Sequence, residues 1–327
     1  MSSVLLADIG GSTTRFAVCD PGGRPDKISV IENDTVSGPQ AAIRRYLDDN
    51  RLAPRGAVLA VAGPIAGREV KLTNRDWRFH CDQLAEQFGF HPIFPINDFE
   101  ALAHSLALLR SDEMRAIGTG RIPLAGPRAV LGPGTGLGVA AVVPHGREWI
   151  ALASEGGHAS FGPAADDERV VFQRVAHGSH GSHGETFITA ETLISGPGLE
   201  RIYRALNPLS IPLDAPTIVE EARAGATDAR GAIDMFVRLL GRFAGDIALT
   251  LKATGGVFIA GGVAFRLGRL LDETVFRDAF EHHPPYQEML AAIPTSLITC
   301  REPGLLGCAA LAARLFAPRQ LPKVRAM

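Results

Sequence analysis

Two stretches of this chain follow one plan, and together they restrict its fold more than any other feature. "VLLADIGGSTTRFAVCD" (4–20) and "AVLGPGTGLGVAAVV" (129–143) each run from an apolar strand through a glycine-rich turn with a small hydroxyl residue into a second apolar strand. Such segments read as β-hairpins with glycine tips. One hairpin in each half predicts a duplicated fold whose two related domains face each other across a cleft. At 327 residues the chain is too long for one ordinary core and comfortable for two domains.

The remaining pattern is mixed α/β. Strand-like runs fall at 4–7, 16–19, 57–62, 93–96, 129–131, 139–143 and 257–260. Helical periodicity marks 39–50, 81–88, 99–109, 168–176, 217–224, 232–253 and 305–316. Within 232–253, Phe236, Leu240, Phe243, Ile247 and Leu251 recur at spacings of three and four, which predicts a core-facing stripe. The polar, Gly- and Pro-containing stretch 109–128 is the expected domain boundary. This separates residues 1–108 from those that follow. "HGSHGSHGE" (177–185) reads as an exposed loop and 317–327 as a frayed tail.

Charge and composition exclude several classes. A net charge of −2 gives no attraction to nucleic acid or anionic membrane. No apolar run is long enough to span a bilayer, and "MSSVLLADIGG" lacks a charged leader and cleavage site, so a cytoplasmic protein is expected. Cys19, Cys81, Cys300 and Cys308 form no CxxC pair, which predicts reduced thiols in or near the core and no zinc site.

The glycines point to phosphate. Successive backbone N–H groups in a side-chain-free turn converge on an anion. "GPGTGLG" (132–138) is neither of the familiar nucleotide motifs. Leu137 stands where the dinucleotide fingerprint needs glycine, a strand follows in place of a helix, and no Walker lysine is present. Two hairpin tips carrying Ser12, Thr13 and Thr135 remain, able to hold a polyphosphate, with Asp8 placed to orient hydrated Mg²⁺. "GGVFIAGGVAFRLGRLL" (255–271) runs from a buried strand through Gly261-Gly262 into a helix, where small residues admit a flat ligand. In "PINDFEALAH" (95–104), Asn97 and Asp98 sit where a strand gives way to a helix. Asn97 and Glu100 have capping-box spacing, so a helix cap is one reading of the pair and chemistry the other.

"ADIGGSTTRFAV", "LAVAGPI", "LTNRDW", "INDFEALAHSL", "LGPGTGLGVA", "SEGGHASF", "TAETLISGPGLERIY", "FIAGGV" and "PGLLGCAAL" follow one another from Val4 to about Phe316. In this order the chain resembles the bacterial glucokinases, within the superfamily of sugar kinases, actin and heat-shock chaperone ATPases. The resemblance implies an α/β, two-domain actin-like ATPase (ribonuclease H-like) fold with an interdomain cleft, in which residues 1–108 form a small domain completed by a C-terminal helix at about 301–318, and 109–300 a large one. It implies transfer of the ATP γ-phosphoryl to the 6-hydroxyl of glucose with Mg²⁺, the first step of glucose use in glycolysis, by a homodimer.

Residue by residue, the resemblance makes Asp98 the catalytic carboxylate and Asn97, Asp98, Glu155, His158 and Glu191 the sugar ligands. Gly10, Gly11, Ser12 and Thr13, then Gly134, Thr135 and Gly136, match the phosphate loops, and Gly261 and Gly262 match the adenosine motif. Asp8 matches the Mg²⁺ position, reached through water. Carboxylates, an amide and an imidazole suit a ring of vicinal hydroxyls, each at once donor and acceptor. "GGSTTR" departs from the more usual Thr-Asn after the glycines, though Thr13 keeps a hydroxyl. Other hexoses, N-acetylhexosamines, and ADP or polyphosphate as donor stay open at this point. The repressor relatives need an N-terminal DNA-binding helix pair, whereas this sequence starts directly on the first hairpin.

Overall fold

The structure, a computed structural model, describes residues 3–63, 65–73, 75–118, 125–146, 148–178 and 187–316. Chain contacts divide it into two compact units, residues 1–108 with those from 301 onward, and residues 109–300.

The first unit is built on five strands: β1 (Val4–Ile9), β2 (Thr13–Cys19), β3 (Asp26–Glu32), β4 (Gly56–Val61) and β5 (Ile93–Asn97). Their order is β3-β2-β1-β4-β5, with β1–β2 and β2–β3 antiparallel and β1–β4 and β4–β5 parallel. Every residue of β4 is buried, as expected of a central strand covered on both faces. On one face lie the helices Pro39–Asn50 and Cys81–Phe88, contributing Ile43, Tyr46 and Leu84 to the core. On the other, the helix Pro303–Phe316 packs Leu305, Cys308 and Ala309 against Val4, Leu6, Val58 and Ala60. That helix meets Asp98–Ser105 at Gly307, where a Cβ would stand 1.6 Å from the Ala101 carbonyl oxygen.

The second unit repeats the plan. Its strands are β6 (Arg128–Pro133), β7 (Leu137–His145), β8 (Glu148–Ser154), β9 (Val257–Ile259) and β10 (Thr295–Ile298). The order is β8-β7-β6-β9-β10, again with two antiparallel pairings followed by two parallel ones, and Met114–Ala116 adds an antiparallel edge beyond β10. Both glycine-rich segments are therefore hairpins, β1–β2 and β6–β7, at equivalent places in two sheets of one design. The helix Thr227–Leu251 crosses this core with Phe236, Leu240, Phe243 and Ile247 buried and Leu251 packed at its edge, the stripe expected from the periodicity.

Some expectations need correction. The helix predicted over 99–109 is Asp98–Ser105. Ser105 Oγ donates to the Leu102 carbonyl, and the N–H groups of Leu106, Ala107 and Leu108 reach back only three residues, so the chain tightens and leaves the α-helix. His177 lies in the helix Asp166–Gly178 and not in a loop. The rest of that histidine segment (179–185), part of the polar stretch (119–124) and the tail (317–327) fall outside the described residues. Cys19, Cys81 and Cys308 are buried and Cys300 is partly exposed. Among the described residues, no helix is long and apolar enough to cross a membrane.

Candidate active site

In the first unit the β1–β2 tip is closed by the Gly10 N–H donating to Thr13 O at 3.0 Å. Behind it sits Asn33, fully buried. Its Nδ2 donates to Gly10 O (2.8 Å) and Gly11 O (3.1 Å), its N–H to Ser12 O (2.8 Å), and its Oδ1 accepts from Thr14 Oγ1 (2.7 Å). Three successive tip carbonyls are thus engaged from one side. In a planar trans peptide the N–H points opposite to the C=O, so the amides of the Gly10–Gly11 and Gly11–Ser12 peptides face away from Asn33, as an anion-binding turn requires. Asn33 had no sequence signal, since "ENDTVSGP" reads only as a turn.

Asp8, half-buried one residue before the end of β1, lies directly across from Arg15. Arg15 Nη1 lies 3.9 Å from Asp8 Oδ2, while Arg15 Nε binds Glu302 Oε2 at 2.8 Å, just ahead of the C-terminal helix. Burial raises both carboxyls above their ordinary values and Arg15 opposes it; for Glu302 the nearby Asp8 charge adds to the rise. Two carboxylates supplying oxygen donors on one small patch suit a hard divalent cation such as Mg²⁺. Glu302 is a second residue that sequence reasoning missed, because it reads as an ordinary acid before a helix.

Asn97 ends β5 and caps the next helix, its Oδ1 accepting from the N–H groups of Phe99 (2.9 Å) and Glu100 (3.3 Å). Its Nδ2 donates to Gly63 O at 3.2 Å, at the end of neighbouring β4. Burial raises the Glu100 carboxyl above its ordinary value, with the Asn97 backbone and the Arg314 charge opposing the rise. Asp98 occupies the first helical position, and its Oδ1 accepts from the Phe99 N–H at 3.0 Å. Asn97 therefore caps this helix, which places Asp98 where the strand ends.

In the second unit one backbone residue gathers the candidates. Leu137, the first residue of β7, donates its N–H to Glu191 Oε2 at 2.8 Å. Its carbonyl oxygen presses so close to Gly157 that a Cβ there would stand 1.9 Å away. The β6–β7 tip, Glu191 on the short helix Ala190–Leu193, and the Glu155–His158 turn therefore adjoin, with Glu155 and His158 exposed. The pairing of Ala159 O with Ala190 N–H (3.0 Å) ties the last two segments together. Gly134 O accepts from Gly196 N–H at 2.7 Å, and Gly261, at φ +85°, lies against Pro133 O, so the Gly261-Gly262 turn meets the same tip. Around Gly134 and Gly262 the space that a Cβ would take is open.

The fold is of the actin-like, sugar-kinase kind, and comparison with known proteins narrows the class. The glucokinase family model matches residues 5–315. A glucokinase of Paramagnetospirillum magneticum is 38% identical over 317 residues, covering 94% of this chain and 97% of that protein. A bifunctional protein glk of Burkholderia orbicola is 39% identical over 321 residues, covering 96% of this chain and 49% of that one. The chain thus spans about half the length of the first curated relatives it matches. The crystal structure of a glucokinase from an Antarctic psychrotroph superposes with a TM-score of 0.86 at 31% identity, covering 96% of this chain and 99% of that one. The chain belongs to the glucokinase family.

Proposed function

We propose that this chain is an ATP-dependent glucokinase that phosphorylates the 6-hydroxyl of glucose at the entry to glycolysis, in the cytoplasm and as a homodimer. The observation that carries the reading is Leu137. Its N–H holds Glu191 while its carbonyl packs on Gly157, so a phosphate-type hairpin tip and two candidate sugar-binding acids share one anchor. Glu191 spends one acceptor site on that anchor, and a carboxylate has several, so Oε1 remains for a sugar hydroxyl.

In this reading Asn97, Asp98, Glu155, His158 and Glu191 bind the hexose, and analogues lacking a hydroxyl leave one of them unpaired. Gly10 to Thr13 and Gly134 to Gly136 hold the phosphates, and Gly261 and Gly262 accept the adenosine. Mg²⁺ beside Asp8, bound through water, supplies charge neutralisation to the phosphates. Phosphoryl transfer is then mostly positioning and electrostatics, and the chain's remaining task is to take the 6-hydroxyl proton. Asp98, held at the start of its helix, accepts it. Initial rates with ATP, ADP and polyphosphate against glucose, mannose and N-acetylglucosamine test the proposal. ATP with glucose should give the highest kcat/KM. Preference for an N-acetylhexosamine, or absence of transfer to any sugar, would overturn it.

A further inference from the structure

The segment "LTNRDW" (72–77) takes no part in the chemistry above. Leu72 N–H donates to Trp77 O (3.1 Å) and Thr73 N–H to Ala62 O (3.1 Å), so the segment folds back on the end of β4. From it Arg75 reaches the first hairpin tip. Its Nη1 donates to Gly11 O at 3.2 Å, its Nη2 pairs with Asp34 at 2.8 Å, and its guanidinium lies 4.7 Å from the centre of the Trp77 ring. The planar fork is committed on two edges and one face, toward the protein.

We propose that Arg75 is a positioning residue for the nucleotide, bracing the Gly11–Ser12 peptide from behind together with Asn33. This rests on the reading of the tip as a phosphate loop. Fixing Gly11 O fixes the Ser12 N–H in the opposite direction, where the phosphate is to bind. Beside Gly10 and Gly11 that peptide would otherwise turn easily, presenting a carbonyl dipole to the anion. Asp34 holds Arg75 in place, although its side chain is 89% exposed and it adds a negative charge near the tip.

Asp34 gives the brace a distinctive sign. If charge alone mattered, removing this carboxylate would tighten binding of an anion. If Arg75 acts as a brace, the same change loosens its grip and weakens binding.

Calorimetric titration of wild type, Arg75→Ala and Asp34→Ala with Mg²⁺–AMPPNP, and separately with glucose, tests this. Arg75→Ala should weaken AMPPNP about three- to tenfold, the worth of one hydrogen bond. Asp34→Ala should weaken it about two- to fivefold, as for an exposed ion pair. Glucose affinity should stay within about twofold, since a local brace leaves the sugar ligands unmoved. Equal or tighter AMPPNP binding by Asp34→Ala, or unchanged binding by Arg75→Ala, overturns the brace. So does parallel loss of glucose and nucleotide with a lowered Tm, which marks a merely structural role. Failure of the underlying reading shows separately, in a wild type that binds no AMPPNP.

Discussion

Replacing Gly136 by alanine should damage glucose binding while sparing the fold. The new methyl would stand 2.5 Å from Glu191 Oε2 and 3.2 Å from Glu191 Cδ. The backbone there is not left-handed, so alanine adds no conformational strain. The obstacle is the end of a flexible side chain, which can move. Ordinary contact requires the carboxylate to retreat by about 0.9 Å, which takes Oε2 out of its 2.8 Å bond from the Leu137 N–H. A hydrogen bond to a charged group is worth about 1.5–3 kcal/mol. With each 1.4 kcal/mol a factor of ten, losing the anchored carboxylate from the sugar should weaken glucose about ten- to a hundredfold. Gly134→Ala is the paired control. Its Cβ meets nothing within 4 Å, so it displaces no sugar ligand and should leave glucose affinity unchanged. Titration of both variants with both ligands, beside thermal melts, reads this out. Intact glucose affinity in Gly136→Ala, or the same profile from both variants, would refute the reasoning.

Other predictions follow from the same geometry. Gly307→Ala should unfold the first unit or lower its stability by more than about 3 kcal/mol in denaturant titrations, because its methyl would meet the Ala101 carbonyl backbone at 1.6 Å. Buried His104, its pKa lowered to about 4 by burial and then by Arg314, is neutral in the fold. The unfolded chain takes up that proton first, so its contribution is complete above about pH 6.5 and is lost as pH falls toward 4. The stability gap between wild type and His104→Gln should shrink over that window by up to about 3 kcal/mol, as chemical denaturation at stepped pH will show. Glu302→Gln should let Arg15 turn from its 2.8 Å partner to Asp8. Calorimetric titration of Mg²⁺ into the AMPPNP complex should then show about two- to fivefold weaker affinity, and unchanged affinity would remove Glu302 from the cation patch.

What the sequence made legible was what local patterns determine. The two hairpins announce themselves because apolar runs and glycines are neighbours in the chain, and the helices Pro39–Asn50 and Cys81–Phe88 have the expected bounds for the same reason. The strand Glu148–Ser154 escaped notice because it is a sheet edge whose "EWIALAS" is largely exposed, so no clean alternation forms. The helix Gly196–Leu206 is masked by its own Gly-Pro-Gly start, which reads as a turn. At the site, the candidate ligands could be named by resemblance, but their supports could not. Asn33 and Arg75 grip Gly11 from 22 and 64 residues away, and Leu137 acts through its backbone, which no residue type reveals.

The most direct test of the account is the turnover of Asp98→Asn. The substitution keeps the shape and one acceptor, so the helix start survives, but the amide cannot take a proton. Glucose phosphorylation with ATP should fall about 10²–10⁴-fold, the contribution of a positioned acid–base group, while glucose binding weakens far less and Tm moves by a few degrees. Near-normal turnover in a folded variant would contradict it, leaving Asp98 a helix-start residue or sugar ligand and the proton acceptor elsewhere.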